Sequence, residues 1–348
     1  MKIAIISDIH LEAKPYNLIE KQQDIYNTFV EAIRIIKKEN PDSVIIAGDL
    51  FDNKKPSFLS YYYANFLSIF SDKIFFIEGN HEPKVSEFFK TLGVEKKEII
   101  SLKNNLYIAG IDYYHNHNVI REKIKEIRSK LNPKETILVL HANLLEAMPF
   151  LKEEDKYISI KDIKDFKFCI IAHFHNSNLI ENKFLIPGSL ERLDITNQDE
   201  RKLWFLDINE FNEIKPYYHI IPTRKIIQTD NKEEIIKILR IEKLKPIVFY
   251  TGKPEDIKPS ELILFERKCL LFKIKRKVEE TIDDLLNIEI QITRENLEDM
   301  ILNFLNQFEI DEKLKEIFMK NFGNIDIAEK ELEGWINDFE TDRNQQII

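Results

Sequence analysis

Five short apolar runs in this chain each end in residues that can hold a metal ion. KIAIIS leads to Asp8 and His10, SVIIAG to Asp49, KIFFIEG to Asn80 and His81, TILVL to His141, and KFCIIA to His173 and His175. Carboxylate, imidazole and amide ligands with no thiolate suit Mn²⁺, Fe²⁺ or Zn²⁺ at a reactive centre rather than a structural zinc. The chemistry open to such a centre is metal-assisted hydrolysis. Asp8/His10 and His173/His175 are spaced i, i+2, which in extended backbone points both side chains the same way. Core histidines that follow strands by chance are the bland alternative. Five of the chain's eight histidines sit in these motifs, which chance does not explain.

Those residues need elements to bring them together. Each run is short, β-branched and apolar, the pattern of a buried strand. Strands of one sheet joined by crossovers present their carboxyl ends at one edge, so the ligands are expected to converge there. Between the first two strands, 17–38 reads as a helix, with Ile25, Phe29, Ala32, Ile33 and Ile36 on one face and Pro41 as its stop. Residues 57–70 read as a second, aromatic helix, and 121–130 as a charged, solvated one. Alternating strands and helices predict an α/β domain over residues 1–210, closed by a strand at 204–208. A small α+β module is expected over 211–280: strand 217–222, helix 230–239, strand 246–250, a proline-containing segment and strand 269–275. The last part, 281–348, reads as helical, with stripes such as Leu297, Ile301, Leu305 and Phe308.

Composition narrows the class. Residues 280–348 hold 18 acidic and 6 basic side chains, a balance of −12, whereas the other 279 hold 42 acidic and 45 basic, a balance of +3. The net charge of −9 is therefore a property of the tail, and the body is compatible with DNA without demanding it. No run approaches the roughly 20 apolar residues that cross a bilayer, and the amino terminus enters a strand directly, so neither membrane nor export is expected. Cys169 and Cys269 fall in apolar runs of different expected domains, which fits a reducing cytoplasm rather than a disulfide framework.

The ordered set SDIH, GDLFD, GNHE, a lone strand-end His, HFH and PGS resembles the calcineurin-like metallophosphoesterase superfamily over about residues 1–207. The resemblance implies a β-sandwich flanked by helices and a centre of two Mn²⁺ ions, with Fe²⁺ or Zn²⁺ as alternatives. It places Asp8, His10, Asp49 and His175 on one ion and Asp49, Asn80, His141 and His173 on the other, with Asp49 bridging. Two such ions polarise a phosphoryl oxygen and activate water for in-line attack. His81 is then left to stabilise the transition state or protonate the leaving oxygen, with Glu82 orienting it.

Within that superfamily the closer likeness is to the nuclease subunit of the double-strand-break repair nuclease–ATPase complex, the SbcD type including archaeal forms. It is carried by YNLIEKQQDIYNTFVEAI after SDIHL, by GDLFD followed by KP, by GNHE and by PGSLERLD (Pro187–Asp194). It implies a nuclease that degrades DNA from the 3′ end and nicks single strands or hairpins. A small cap would help hold DNA, and tail helices would bind an SMC-like coiled-coil ATPase. Helices near 17–38 and 57–70 are the expected homodimer surface. A cytoplasmic, nucleoid-associated prokaryotic protein follows.

Three positions depart from the pattern. Ala172 replaces a glycine, Asp52 stands where some members have a second histidine, and the segment after GNHE is compressed and lacks an arginine. Asp52, His115, His117 and Arg192 are candidate substrate contacts. For His115 and His117, in the run YYHNHN, a polar loop at the rim is the favoured reading; His219 reads as structural. A small-molecule phosphodiesterase or phosphatase on the same site, and a non-catalytic scaffold, are the competing functions.

Overall fold

A computed structural model describes residues 1–81, 85–148 and 152–275. Glu82 and the expected helical segment 281–348 lie outside them. Among the described residues, two sheets face one another. The first contains β1 (Lys2–Ile6), β2 (Ser43–Ala47) and β3 (Ile74–Ile77) in parallel, extended by antiparallel β10 (Arg201–Ile208) and β11 (Ile214–Ile221). The second runs β4 (Ile99–Ser101), β5 (Tyr107–Ile111), β6 (Thr136–His141), β7 (Phe168–Ala172), β9 (Phe184–Ile186), β8 (Asn178–Ile180). The five ligand-bearing strands therefore divide between two sheets, the sandwich that the family resemblance implies, and do not share the single sheet that strand patterning alone suggests. Within each sheet they run parallel, β1 to β3 in the first and β6 and β7 in the second, and all five ligand-bearing ends meet at one edge of the sandwich.

The period-two pattern of each strand builds the layers. Ile3, Ile5, Ile45 and Ala47 point inward and meet Ile137, Val139 and Ile170 from the other sheet. Their neighbours Ala4, Ile6, Val44 and Ile46 point outward to a second core. That core is covered by α1 (Ile19–Glu39), α2 (Phe58–Ala64) and α3 (Val85–Thr91), which contribute residues such as Phe29, Ile36, Ala64 and Phe89. On the far face, Leu138, Leu140 and Ile171 pack against α4 (His117–Lys130) and α5 (Ile160–Ile163). The result is a four-layer helix–sheet–sheet–helix sandwich.

Several elements differ from expectation. The strand read at 217–222 does not open the second unit; as β11 it pairs with all of β10, Arg201 opposite Ile221 through Ile208 opposite Ile214. Its alternation of apolar and polar residues could not reveal which sheet it joins. Helix α4 begins at His117, capped by Asn116, earlier than its charged part suggested. The expected helix at 57–70 is α2 followed by a 3-10 turn over Asn65–Phe70. In the cap, β12 (Ile226–Thr229), β13 (Ile247–Tyr250) and β14 (Leu271–Ile274) form a parallel three-stranded sheet. They are linked by α6 (Lys232–Ile241) and α7 (Pro259–Lys268). The proline-containing segment is thus a helix, with Pro259 at its first turn, where a missing N–H leaves no bond unmade. Both cysteines are buried free thiols.

The cap seats on the sandwich through Phe249, Ile226 and Ile247, which pack with Tyr16, Leu18 and Ile195. Arg224, just before β12, grips Asp24 of α1 through Nε at 2.6 Å and Nη2 at 3.0 Å.

Candidate metal centre

The strand ends do not place the side chains by extended geometry. Asp8, His10 and Asp49 have φ of 48°, 50° and 50°, and His173 has 103°. These are left-handed values that cost non-glycine residues of order 1–3 kcal/mol each and cluster at functional sites. The i, i+2 argument for Asp8/His10 and His173/His175 therefore reached the right neighbourhood by the wrong geometry. The chain leaves each strand through a tight turn, and hydrogen bonds across the edge hold it. The amides of Ile9 and His10 both donate to the Asp49 carbonyl at 2.9 Å. The His173 amide donates to Asp8 Oδ1 at 3.1 Å.

Two glycines make room. A Cβ on Gly48 would lie 2.4 Å from His141 Nδ1, and one on Gly79 would lie 2.1 Å from Asp49 Oδ1. The GD and GN pairs are thus steric requirements, which sequence reading missed, although the glycine preceding each ligand was its signal.

Three overlapping groups bring metal-competent atoms within 4.8 Å of one another: Asp8, His10 and His175; His10, Asp49 and His81; Asp49, His141 and His173. Asn80 joins the last, its Oδ1 lying 3.1 Å from His141 Nε2 and 3.0 Å from His173 Nδ1. The hydrogen bonds fix what these atoms offer. His141 Nδ1 sits 3.0 Å from the Ala47 carbonyl, so it carries the proton there. In the neutral ring, Nε2 is then a lone pair, facing Asp49 Oδ2 at 3.4 Å and His173 Nδ1 at 3.2 Å. His10 repeats the pattern. Its Nδ1 donates to Asp52 Oδ1 at 3.1 Å, leaving Nε2 toward His175 Nε2 at 3.2 Å and Asp49 Oδ2 at 3.7 Å. Two points thus gather ring nitrogens, carboxylate oxygens and an amide oxygen from several directions. A cation satisfies that arrangement, and a carboxylate or carbonyl behind each ligating imidazole is the usual support.

The protonation balance has the same origin. Burial pushes Asp8 up to about 6 against the pull of His141. Asp49 is held well below the usual carboxylate range: burial works against this, and the charge and hydrogen bond of His141 outweigh it. Burial also opposes charge on His141, yet Asp49 raises it to about 9. Burial and then the charge of His141 lower His173 to about 3; burial and then His10 lower His175 to about 4. The carboxylates draw positive charge to the point between them, and a proton on His141 occupies the place a metal ion would take.

The remaining candidate residues separate. His81 is half-exposed at the cleft; its amide donates to Asp49 Oδ1 at 3.0 Å and its Nδ1 to the Asp52 carbonyl at 3.0 Å. Asp52 therefore supports two histidines, one through its carboxylate and one through its backbone. His117 is buried and not at a rim: its Nε2 accepts the Asn143 amide at 3.0 Å, which withdraws it from any substrate. His115 is exposed, near Lys156 at 3.4 Å, and joins none of the three groups. Arg192 is also buried; it donates to the Asp199 carbonyl at 3.0 Å and to Thr223 Oγ1, away from the cleft. His219 bonds Glu39 at 3.1 Å across to α1. One contact went unread in the sequence: the ring of Tyr113 stacks on His173, centroids 5.8 Å apart. The centre opens into a cleft of about 660 Å³, walled by residues including Phe174, Asn176, Asp194 and Asn197.

The profile of the calcineurin-like phosphoesterases matches residues 1–177. The chain is 33% identical over 198 residues to the DNA double-strand break repair protein Mre11 of Sulfurisphaera tokodaii, covering 52% of this chain and 50% of that protein. It is 25% identical over 351 residues to the protein of the same name from Methanococcus maripaludis, covering 89% and 92%. Among solved structures, the calcineurin-like phosphoesterase YfkN from Bacillus subtilis superposes with a TM-score of 0.39 at 11% identity, covering 64% of this chain and 90% of that one.

Proposed function

The chain belongs to the calcineurin-like phosphoesterase family, and from that premise we propose that it is a Mn²⁺-dependent DNA nuclease of double-strand-break repair. The observation that carries the reading is the convergence of metal-competent atoms from five strand ends in three overlapping groups, linked through His10 and Asp49. Asp8, His10, Asp49 and His175 would hold one ion, and Asp49, Asn80, His141 and His173 the other. Ions bound there supply charge for a phosphoryl oxygen and lower the pKa of water.

The chain's own groups do the rest. Ala47 and Asp52 lock the rings of His141 and His10, so both ligands enter the reaction already oriented. His81 is held by Asp52 through Nδ1, which fixes the ring at the cleft. Its Nε2 is the group placed to hold a proton for the leaving oxygen. The exonuclease activity from the 3′ end, the nicking of single strands or hairpins, and work alongside an SMC-like ATPase are proposed on the resemblance of the sequence motifs to the repair-nuclease subunit. So is the division into a phosphoesterase unit, a DNA-holding cap and a partner-binding segment at 281–348. Homodimerisation is assigned to the outer face of α1 and α2, where Phe58, Tyr62 and Ile19 are 86%, 54% and 66% exposed.

A small phosphodiester substrate is the second reading, favoured by the carboxylates Glu146 and Asp194 on the cleft wall, which repel a polyanion. An assay on end-labelled single- and double-stranded DNA, beside a generic aryl phosphodiester, separates the two. Mn²⁺-dependent shortening of DNA that Asp49→Ala abolishes is the expected result. Turnover of the small ester with DNA intact would favour the second reading.

A further inference from the structure

Arg201, the first residue of β10, is only 1% exposed. A guanidinium is rarely buried so completely unless its donors are met. Here they are spent on three separate segments. Nη1 donates to the His175 carbonyl at 2.6 Å and to Ser189 Oγ at 3.4 Å. Nη2 donates to Asn176 Oδ1 at 3.4 Å, and Nε to the Asp199 carbonyl at 3.3 Å. The Asp199 carboxylate completes the pair.

The His175 carbonyl is the focus of this arrangement. It also accepts the Ser189 amide at 3.1 Å. Gly188, at φ 79°, lies so close that a Cβ would come within 2.8 Å of the same oxygen. Strand β7 ends at Ala172, so no ladder holds His175 in place. The side chain it carries meets His10 Nε2 at 3.2 Å, in one half of the centre. The other half is fixed by different means, His141 by its strand and the Ala47 carbonyl.

We infer that Arg201 is a positioning residue for one of the two ion sites: its fork clamps the backbone of His175 and thereby sets that ligand, while the His141 side is held without it. This rests on the two-ion reading above. The fork is the reason arginine is needed, because it reaches both the His175 carbonyl and Asn176 Oδ1, whereas a lysine is a single point of donation.

Calorimetric titration of the full chain with Mn²⁺, beside thermal unfolding, tests it. His175→Ala and His141→Ala first identify which class of site each ligand serves. Arg201→Gln is expected to lose about 10–100-fold affinity in the class that His175→Ala removes, and about twofold or less in the class that His141→Ala removes. Arg201→Lys should fall between wild type and Arg201→Gln, and carries the same comparison if the glutamine variant does not fold. Both classes unchanged, or both weakened equally together with the melting temperature, would overturn the assignment. Wild-type protein that binds no Mn²⁺ overturns the metal centre itself; normal two-class binding in wild type and variant alike overturns only the role of Arg201.

Discussion

Each imidazole in the centre has one nitrogen committed to the protein or turned to a neighbouring ligand, and that division sets what a substitution does. His10 spends Nδ1 on Asp52 and His141 spends Nδ1 on Ala47. Asp52→Ala frees the His10 ring, so Mn²⁺ affinity should fall by about 10–100-fold. Asp52→Asn keeps an acceptor oxygen and should lose much less; equal losses in the two variants, measured by titration, would show that the hydrogen bond is not the cause. His81→Ala removes no shared ligand in the proposed assignment. It should retain both ions and lose about 10²–10⁴-fold in turnover. Loss of an ion from that variant would instead make His81 a ligand, as its grouping with His10 and Asp49 allows.

Turns and helices determine whether those side chains can meet. Gly48 combines a φ of 86° with a Cβ position 2.4 Å from His141 and 2.9 Å from the Gly79 backbone. Gly48→Ala should therefore both destabilise the fold, by about 1–3 kcal/mol for the strained backbone, and weaken metal binding by displacing His141. Normal metal affinity in a folded Gly48→Ala protein would contradict the crowding. Farther from the edge, Phe29 of α1 is fully buried against the outer face of the first sheet. Phe29→Ala should cost about 3–5 kcal/mol in chemical denaturation. With α1 anchored by its other apolar positions, Ile25, Ile33 and Ile36, the metal titration of the folded variant should stay near wild type.

The described unit as a whole is tied together by charge as well as by apolar surface. Arg224 and Asp24 join the cap to α1 by a buried bidentate pair, and Lys21 sits 3.8 Å from the same carboxylate. Removing the guanidinium leaves Asp24 with the more distant lysine. Arg224→Met should therefore destabilise by about 3 kcal/mol, the lower end for a broken buried pair, and make the cap the first region cut in limited proteolysis. At the opposite end of α1, the hydrogen bond from Lys2 holds the Glu39 carboxyl below its ordinary value of 4.5, and Tyr217 adds to the effect. A carboxyl depressed in the folded state binds fewer protons than in the unfolded chain. Its stabilisation is therefore complete above 4.5 and is lost as pH falls through the lower folded value. Denaturant titrations of Glu39→Gln should show a shallower loss of stability on acidification than wild type; an identical slope would remove Glu39 from the acid transition.

Residue types and their order marked which side chains gather at the strand ends. A ligand after each of five apolar runs is a local signal, because burial makes a strand and the strand's end fixes where its next residue emerges. The apolar face of α1, with Ile25, Phe29, Ala32, Ile33 and Ile36, was legible for the same reason: helical spacing is written in consecutive residues. Pairing is not. That the five runs divide between two facing sheets, that β11 completes the first sheet, and that 259–268 is a helix all depend on partners distant in sequence. The left-handed turns at Asp8, His10 and Asp49, the burial of His117 and Arg192, and the hold of Arg201 on His175 likewise come from contacts across the sandwich edge. Sequence named the atoms that converge; long-range packing set which of them face one another and which are taken up in holding the others still.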